Sequence, residues 1–322
     1  MLRTTLTTVA AILTLTVSAC SGDDPAEKKE PRLTVPAAGQ CVAKEVPDGK
    51  DVAPDTESVV PCDQNHGYEI AAAIPVPKKL LSGTTKKAKL ARRTQLADID
   101  DDKSKLRQQL FKTTYGKCQE PFRKATGLDR LTVLGKSAEE AGLGISAHVS
   151  TWYTLSSPEL WVEGKAMLVC SFRFQARSTT GDTGDRPKLS SVRSKTSKPV
   201  MASYLTDDFP VSARGCTDSN SKASVDCARP HTQERLWTLD LKAVYGKKFL
   251  SGANLKDVSA AELTKIRAAC NDPYTQAGGK VSEARPMGFR FFSEVPTTGP
   301  SLPIICTLTS QGQSLGTTFT AF

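Results

Sequence analysis

The sequence predicts an α+β protein of two tandem, related small domains, each a short antiparallel sheet with one main helix and two disulfides. Three observations predict it. The nine cysteines reduce to an even set of eight once an N-terminal one is set aside. Those eight fall into two runs of four that share sequence motifs in the same order. Each run also alternates strand-like and helix-like periodicity around its cysteines.

The N-terminus supplies the odd cysteine. Arg3 gives a positive start, residues 4–16 are apolar and threonine-rich, and Val17-Ser18-Ala19-Cys20 has the form of a bacterial lipobox. Residues 1–19 are therefore expected to be a lipoprotein signal peptide, and Cys20 the acylated, palmitate-bearing residue. Each buried methylene of such an anchor adds about 0.8 kcal/mol, so two or three chains hold a protein on the membrane. Residues 20–38, rich in charge, proline and alanine, are expected to form a flexible tether. The expected location is the extracytoplasmic face of the cell membrane.

The remaining cysteines are Cys41, Cys62, Cys118, Cys170, Cys216, Cys227, Cys270 and Cys306. In an oxidising exported compartment an even set reads as disulfides, whereas in cytosol it more often signals metal or a catalytic thiol. Residues 177–204, rich in Ser, Thr, Lys and Gly, separate the two runs as a linker between domains 39–176 and 205–322, the second divergent.

Three matches expose the repeat. V-x-C-x-x-x-H-x-x-E occurs around Cys62, His66 and Glu69 and again around Cys227, His231 and Glu234. K-K-x-L-S-G occurs at 78–83 and 247–252, and C-x-x-P followed by an aromatic and an alanine starts at Cys118 and Cys270. Two equivalent sets of four cysteines leave about 3 connectivities instead of roughly 105. Locality favours Cys41 with Cys62, Cys118 with Cys170, Cys216 with Cys227 and Cys270 with Cys306.

Residues 69–76 and 236–241 read as strands following each histidine. Leu106, Leu110, Phe111, Tyr115, Cys118 and Phe122 recur at helical spacing, with Asp102 as a candidate N-cap. Ser259 and Glu262 form a capping box ahead of Leu263, Ile266 and Cys270. Residues 166–174 alternate as a half-buried strand around Cys170, and 302–308 are its shorter counterpart around Cys306.

His66 with Glu69 and His231 with Glu234 form the one polar constellation that recurs. Zinc would draw on Cys62, His66 and Glu69, but in an extended segment residues three apart point to opposite faces, so His and Glu are not expected to converge. No metal and no cofactor is expected. The chain holds three histidines and no G-x-S-x-G elbow or S-x-x-K in a supporting context, so nucleophilic catalysis lacks a case. Asp98, Asp100, Asp101 and Asp102 read as a solvated cap rather than a glycosidase pair. Trp152, Tyr153 and Trp161 around Pro158 could stack on sugars or form a protein interface, or else pack over a Cys118–Cys170 bond. Candidate binding residues are thus Trp152, Trp161, His66 and His231.

Lys and Arg total 43 against 34 acidic residues, a net charge of +9. Cations concentrate at Lys78, Lys79, Lys86, Lys87, Lys89, Arg92 and Arg93, and in the linker at Arg177, Arg186, Lys188, Arg193, Lys195 and Lys198. Outside the cytoplasm, anionic lipid or a wall polymer fits this charge, and nucleic acid does not.

Gly39 and Cys41 in G-x-C, the V-x-C-x-x-x-H-x-x-E run, Cys118, and P-x-x-W-x-x-G at Pro158, Trp161 and Gly164 ahead of Cys170 together resemble the bacterial septum-formation domain. That family occurs in exported, often lipid-anchored actinobacterial proteins. The resemblance covers about residues 39–174. Residues 205–322 keep the cysteines, His231 and the helix but lack P-x-x-W-x-x-G. It implies a part in division or envelope assembly and supplies no catalytic residues. The expected function is a non-enzymatic, membrane-anchored binding or scaffolding lipoprotein whose partner is an envelope protein, anionic lipid or wall polymer. The alternatives are an envelope enzyme using His66 and His231, and a purely structural spacer.

Overall fold

The computed structural model describes residues 34–43, 59–97, 105–147, 149–174, 192–218, 224–225, 227, 230–255, 258–280, 286–292 and 297–310. The expected signal peptide, Cys20, most of the tether, the acidic cluster at 98–102 and His148 lie outside these residues. Among the described residues no helix is long and apolar enough to cross a membrane.

The first half runs β1 (Cys41–Val42), β2 (Val59–Val60), β3 (Tyr68–Pro75), α1 (Lys86–Ala97), α2 (Lys105–Leu110) and α3 (Gly116–Thr126). It continues with β4 (Thr132–Val133), β5 (Lys136–Ser137), β6 (Gly144–Ile145), β7 (Val149–Leu155), α4 (Pro158–Val162) and β8 (Met167–Phe174). The second half holds β9 (Gly215–Thr217), β10 (Ser224–Val225), β11 (Gln233–Asp240), α5 (Leu241–Tyr245), α6 (Ala260–Gln276), β12 (Met287–Phe291) and β13 (Pro303–Thr309). The fold is mixed α+β with antiparallel sheets. One sheet has the order β2-β1-β3-β8-β7, the other β10-β9-β11-β13-β12 with β6 also paired to β11, and β4 with β5 forms a separate hairpin.

All four favoured disulfides are present: Cys41–Cys62, Cys118–Cys170, Cys216–Cys227 and Cys270–Cys306. Two of them fasten a helix to a central strand, α3 to β8 and α6 to β13, close to where the apolar faces meet. The expected helix around Cys118 is interrupted by a π turn at Phe111–Tyr115, where the Thr114 hydroxyl donates to the Leu110 carbonyl. Side-chain hydroxyls that bond back into a helix compete with its own ladder. Helix α6 begins at the expected box: the Glu262 N–H donates to Ser259 Oγ at 3.3 Å, and the Ser259 N–H donates to Glu262 Oε2 at 2.9 Å.

Strand β8 departs from the expected half-buried alternation, because Leu168 through Phe172 are all buried. Helix α3 lays Phe122 against Phe172 on one face, with ring centroids 4.9 Å apart. On the other face Val169 packs with Val42, Tyr68 and Ile70. A central strand covered on both faces loses its polar-out positions.

The two halves share one hydrophobic cluster, running from Leu80 and Phe172 to Trp237 and Leu308. Residues 132–145, read in sequence as part of the first domain, bond to the second half. The Thr132 N–H donates to Gln276 Oε1 at 2.9 Å, the Leu134 N–H to Asp272, and the Asp240 N–H to the Ala141 carbonyl at 2.9 Å. Of the expected linker, residues 192–204 are packed, with Val192, Val200 and Met201 buried.

Candidate functional site

The recurring histidine and glutamate sit on each sheet at the same register. Cys41 lies opposite Glu69 across β1 and β3, and Cys216 lies opposite Glu234 across β9 and β11. His66 and His231 are 0% exposed, and Glu69 and Glu234 are 1% exposed.

His66 and Glu69 do converge, contrary to the expectation from strand alternation: Nε2 stands 2.9 Å from Oε1. The reason is local. Strand β3 starts only at Tyr68, and His66 sits before it in an isolated bridge to Val192, so its side chain does not follow the pleat. His66 Nδ1 lies 2.9 Å from the Gln64 carbonyl, which can only accept, so Nδ1 carries a proton. The Glu69 carboxylate also accepts from the N–H of Val200 and, at 2.8 Å, from that of Met201. Segment 192–204 is therefore pinned to the first sheet by one buried carboxylate.

The second sheet solves the same problem differently. Arg214 Nη1 lies 3.2 Å from Glu234 Oε1, and both side chains are buried. Arg214 Nε and Nη2 donate to the carbonyls of Phe209 and Thr206 at 3.3 Å. Burial pushes the Arg214 pKa below its ordinary value, and Glu234 pulls it back up. Nearby, the Tyr204 hydroxyl donates to the Leu236 carbonyl and accepts from the Ser146 N–H at 3.0 Å. Burial raises its pKa far above that of a free phenol.

Ligand atoms of Cys41, His66 and Glu69 lie within 4.8 Å of one another, as do those of Cys216, His231 and Glu234. In both sets the sulfur is bonded to another sulfur, and a disulfide offers no thiolate to a metal. The arrangement positions backbone and holds charge in the interior.

The aromatic candidates part company. Trp161 is 2% exposed within the main core, so it offers no face to a ligand. Its motif is a small folding unit: Ser157 caps α4, Pro158 occupies the first turn, and Gly164 adopts φ +85° just beyond the end. Trp152 is half-buried and packs against the separate cluster of Val42, Tyr68, Ile70 and Val169, with the Arg173 guanidinium 4.6 Å from its ring centroid. The two tryptophans form no common platform.

Part of the basic cluster is also structural. Lys89 Nζ donates to the Val162 carbonyl and Arg93 Nε to the Ser156 carbonyl, both at 2.8 Å, which ties α1 to α4. Lys78, Lys79, Lys86 and Lys87 remain exposed. Arg177, Arg186 and Lys188 lie outside the described residues, and Lys195 Nζ stands 3.5 Å from Asp208.

A cleft of about 550 Å³ opens between residues 38–39, β3, α3 and the 199–202 turn, with Glu69, Lys124 and Phe172 in its lining beside Ala71, Pro121 and Met201. Sequence reading missed this cleft, Arg214, Tyr204 and the amides of Val200 and Met201. Their partners lie up to 132 residues away, so no local pattern marks them.

Comparison of the chain with known protein families, with curated proteins and with solved structures gives no match.

Proposed function

We propose that this protein is a lipid-anchored, extracytoplasmic protein of the cell envelope, with a non-enzymatic binding or scaffolding role connected with septum formation. The observation that carries this reading is the fate of its one recurring polar constellation. His66–Glu69 and His231–Glu234 are interior groups, their carboxylates engaged by two backbone amides in one sheet and by Arg214 in the other. A general acid or base must reach the proton it transfers. Groups buried to this degree serve the fold and leave recognition to the surface.

Four disulfides fit an oxidising compartment, and Cys20 with the segment before it supplies the membrane attachment. The two halves are read as diverged copies of one module. Matching strand orders, disulfides and glutamate registers support this, as does a bulge between Ile70 and Ala72 in one sheet and between Arg235 and Trp237 in the other. The exposed Lys78, Lys79, Lys86 and Lys87 suit contact with anionic lipid or wall polymer.

Labelling cells with an alkyne analogue of palmitate, followed by crosslinking in intact cells, tests the reading. The wild-type chain takes up label, stays with membranes and crosslinks to envelope components. Cys20→Ser abolishes label and releases the chain. Label-free protein recovered from cytosol with reduced cysteines would overturn the proposal.

A further inference from the structure

The first sheet gathers three metal-binding atoms at one interior point. Cys41 faces Glu69 across β1 and β3, with Cys41 Sγ 3.9 Å from Glu69 Oε1, and His66 Nε2 stands 2.9 Å from that same oxygen. Zinc bonds of about 2.0–2.3 Å place tetrahedral ligand atoms roughly 3.3–3.6 Å apart, so both spacings fall within about half an ångström of that range. All three donors lie within 4.8 Å of one another.

The ring and the carboxylate are oriented for the task. His66 donates its Nδ1 proton to the Gln64 carbonyl, the outer contact that fixes a zinc-bound imidazole, and Nε2 is left aimed at Glu69. Glu69 Oε1 is an acceptor too, so a cation has to sit between the two atoms, and in the disulfide-bonded chain a proton fills that place. The amides of Val200 and Met201 hold the carboxylate still. Among the described residues, His66 is the one cationic partner of Glu69. The second sheet has the same residue types in Cys216, His231 and Glu234, but Arg214 Nη1 stands 3.2 Å from Glu234 Oε1. A metal there would have to displace a buried guanidinium.

What withholds the first set is the Cys41–Cys62 bond. Cys62 is 6% exposed, against 0–1% for the other seven paired cysteines, so a small reductant meets this bond first.

We propose that the Cys41–Cys62 disulfide masks a zinc site, and that its reduction by a small dithiol opens a centre made by Cys41, His66 and Glu69, with Cys62 for the fourth position. The dithiol gives up two electrons and two protons and leaves as its own disulfide, while the S–S bond becomes two thiols. Zinc then displaces both thiol protons to solvent, together with the proton held between His66 and Glu69. The ion takes over the lost link between β1 and the turn that carries Cys62.

The test uses the full chain carrying Cys20→Ser, which removes the odd thiol, with cobalt(II) and zinc(II) as probes. Adding Cys62→Ser frees Cys41 while the other three disulfides stay closed. This variant is expected to take one equivalent of cobalt with thiolate-to-metal charge-transfer absorption, and one equivalent of zinc should abolish the band. The disulfide-bonded parent should show none until a phosphine reduces it, with alkylation then marking Cys41 and Cys62. Nitrogen NMR of the Cys62→Ser chain should place zinc on His66 Nε2 with the Nδ1 proton retained. Adding His66→Gln should weaken zinc by more than the roughly 10–100-fold that loss of a merely orienting group costs. The NMR measurement carries the ligand assignment whether or not that last variant folds. Absence of the cobalt band in Cys62→Ser, a His66 resonance that ignores zinc, or equal zinc binding by the disulfide-bonded chain overturns the proposal. So does an equal band from Cys227→Ser, which frees Cys216 beside Arg214. None of these outcomes bears on membrane attachment, so failure here is distinct from failure of the anchored-lipoprotein reading.

Discussion

Glu69 accepts hydrogen bonds from the backbone of Met201, 132 residues further along the chain, while His66 faces the same carboxylate at 2.9 Å. One buried side chain thus joins the first sheet to the segment that leads into the second.

Removing that carboxylate strands two amides and an imidazole in the interior. Glu69→Ala is expected to cost several kcal/mol, at about 1–3 kcal/mol for each buried group left without its partner. Denaturant unfolding measures it. Limited trypsin digestion should also cut at Arg193 or Lys195 before the sheets open. Cleavage there at the wild-type rate would contradict the pinning role.

Arg214→Met is expected to destabilise by a similar ~3–5 kcal/mol, because Glu234 is left charged and buried. Pairing it with Glu234→Leu should recover much of the loss. A double variant as unstable as the sum of the singles would show that the two residues act independently.

Trp161→Ala removes a ring buried in the core and should cost about 3–5 kcal/mol. Trp152→Ala removes a half-buried ring stacked with Arg173 and should cost about 1 kcal/mol. Calorimetry of the two variants checks the contrast.

Leu134 and Gly135 form the β4–β5 turn with φ +51° and +82°. Two-residue hairpin turns of this form favour Asn-Gly, since a branched side chain is strained in the left-handed region. Leu134→Asn is expected to raise stability by about 1 kcal/mol. Leu134 is also 46% exposed, so little burial is lost.

Hydrogen bonds from Ser259 hold the Glu262 carboxyl below the usual carboxylate range. A depressed folded value means that the cap contributes above the unfolded pKa and is lost as pH falls through the folded one. Carboxyl-carbon NMR should show this titration, and Ser259→Ala should move it up toward the ordinary range. An unmoved titration would contradict the capping box.

Much of the secondary structure was legible because it is local. The strands following His66 and His231, the strands holding Cys170 and Cys306, and the Ser259–Glu262 box all rest on neighbouring residues. The favoured disulfides followed from cysteine order and the repeat. The His66–Glu69 contact was misjudged because strand alternation was applied one turn too early, before Gly67 ends the bridge to Val192. Trp161 stands among the binding candidates as well as the packing ones because spacing does not reveal which side of a five-residue helix faces the core.

By itself, the sequence narrowed the cysteine pairing to about 3 connectivities with one favoured by locality, and determined most periodic strands and helices and the positions of the recurring glutamates, since each depends on spacing along the chain. Only the tertiary structure decided that the Val200 and Met201 amides and the Arg214 guanidinium engage those glutamates, and that β6 pairs with the second sheet. Those features depend on which distant backbone groups arrive at one place. Burial then makes each unsatisfied group costly enough to select a single arrangement.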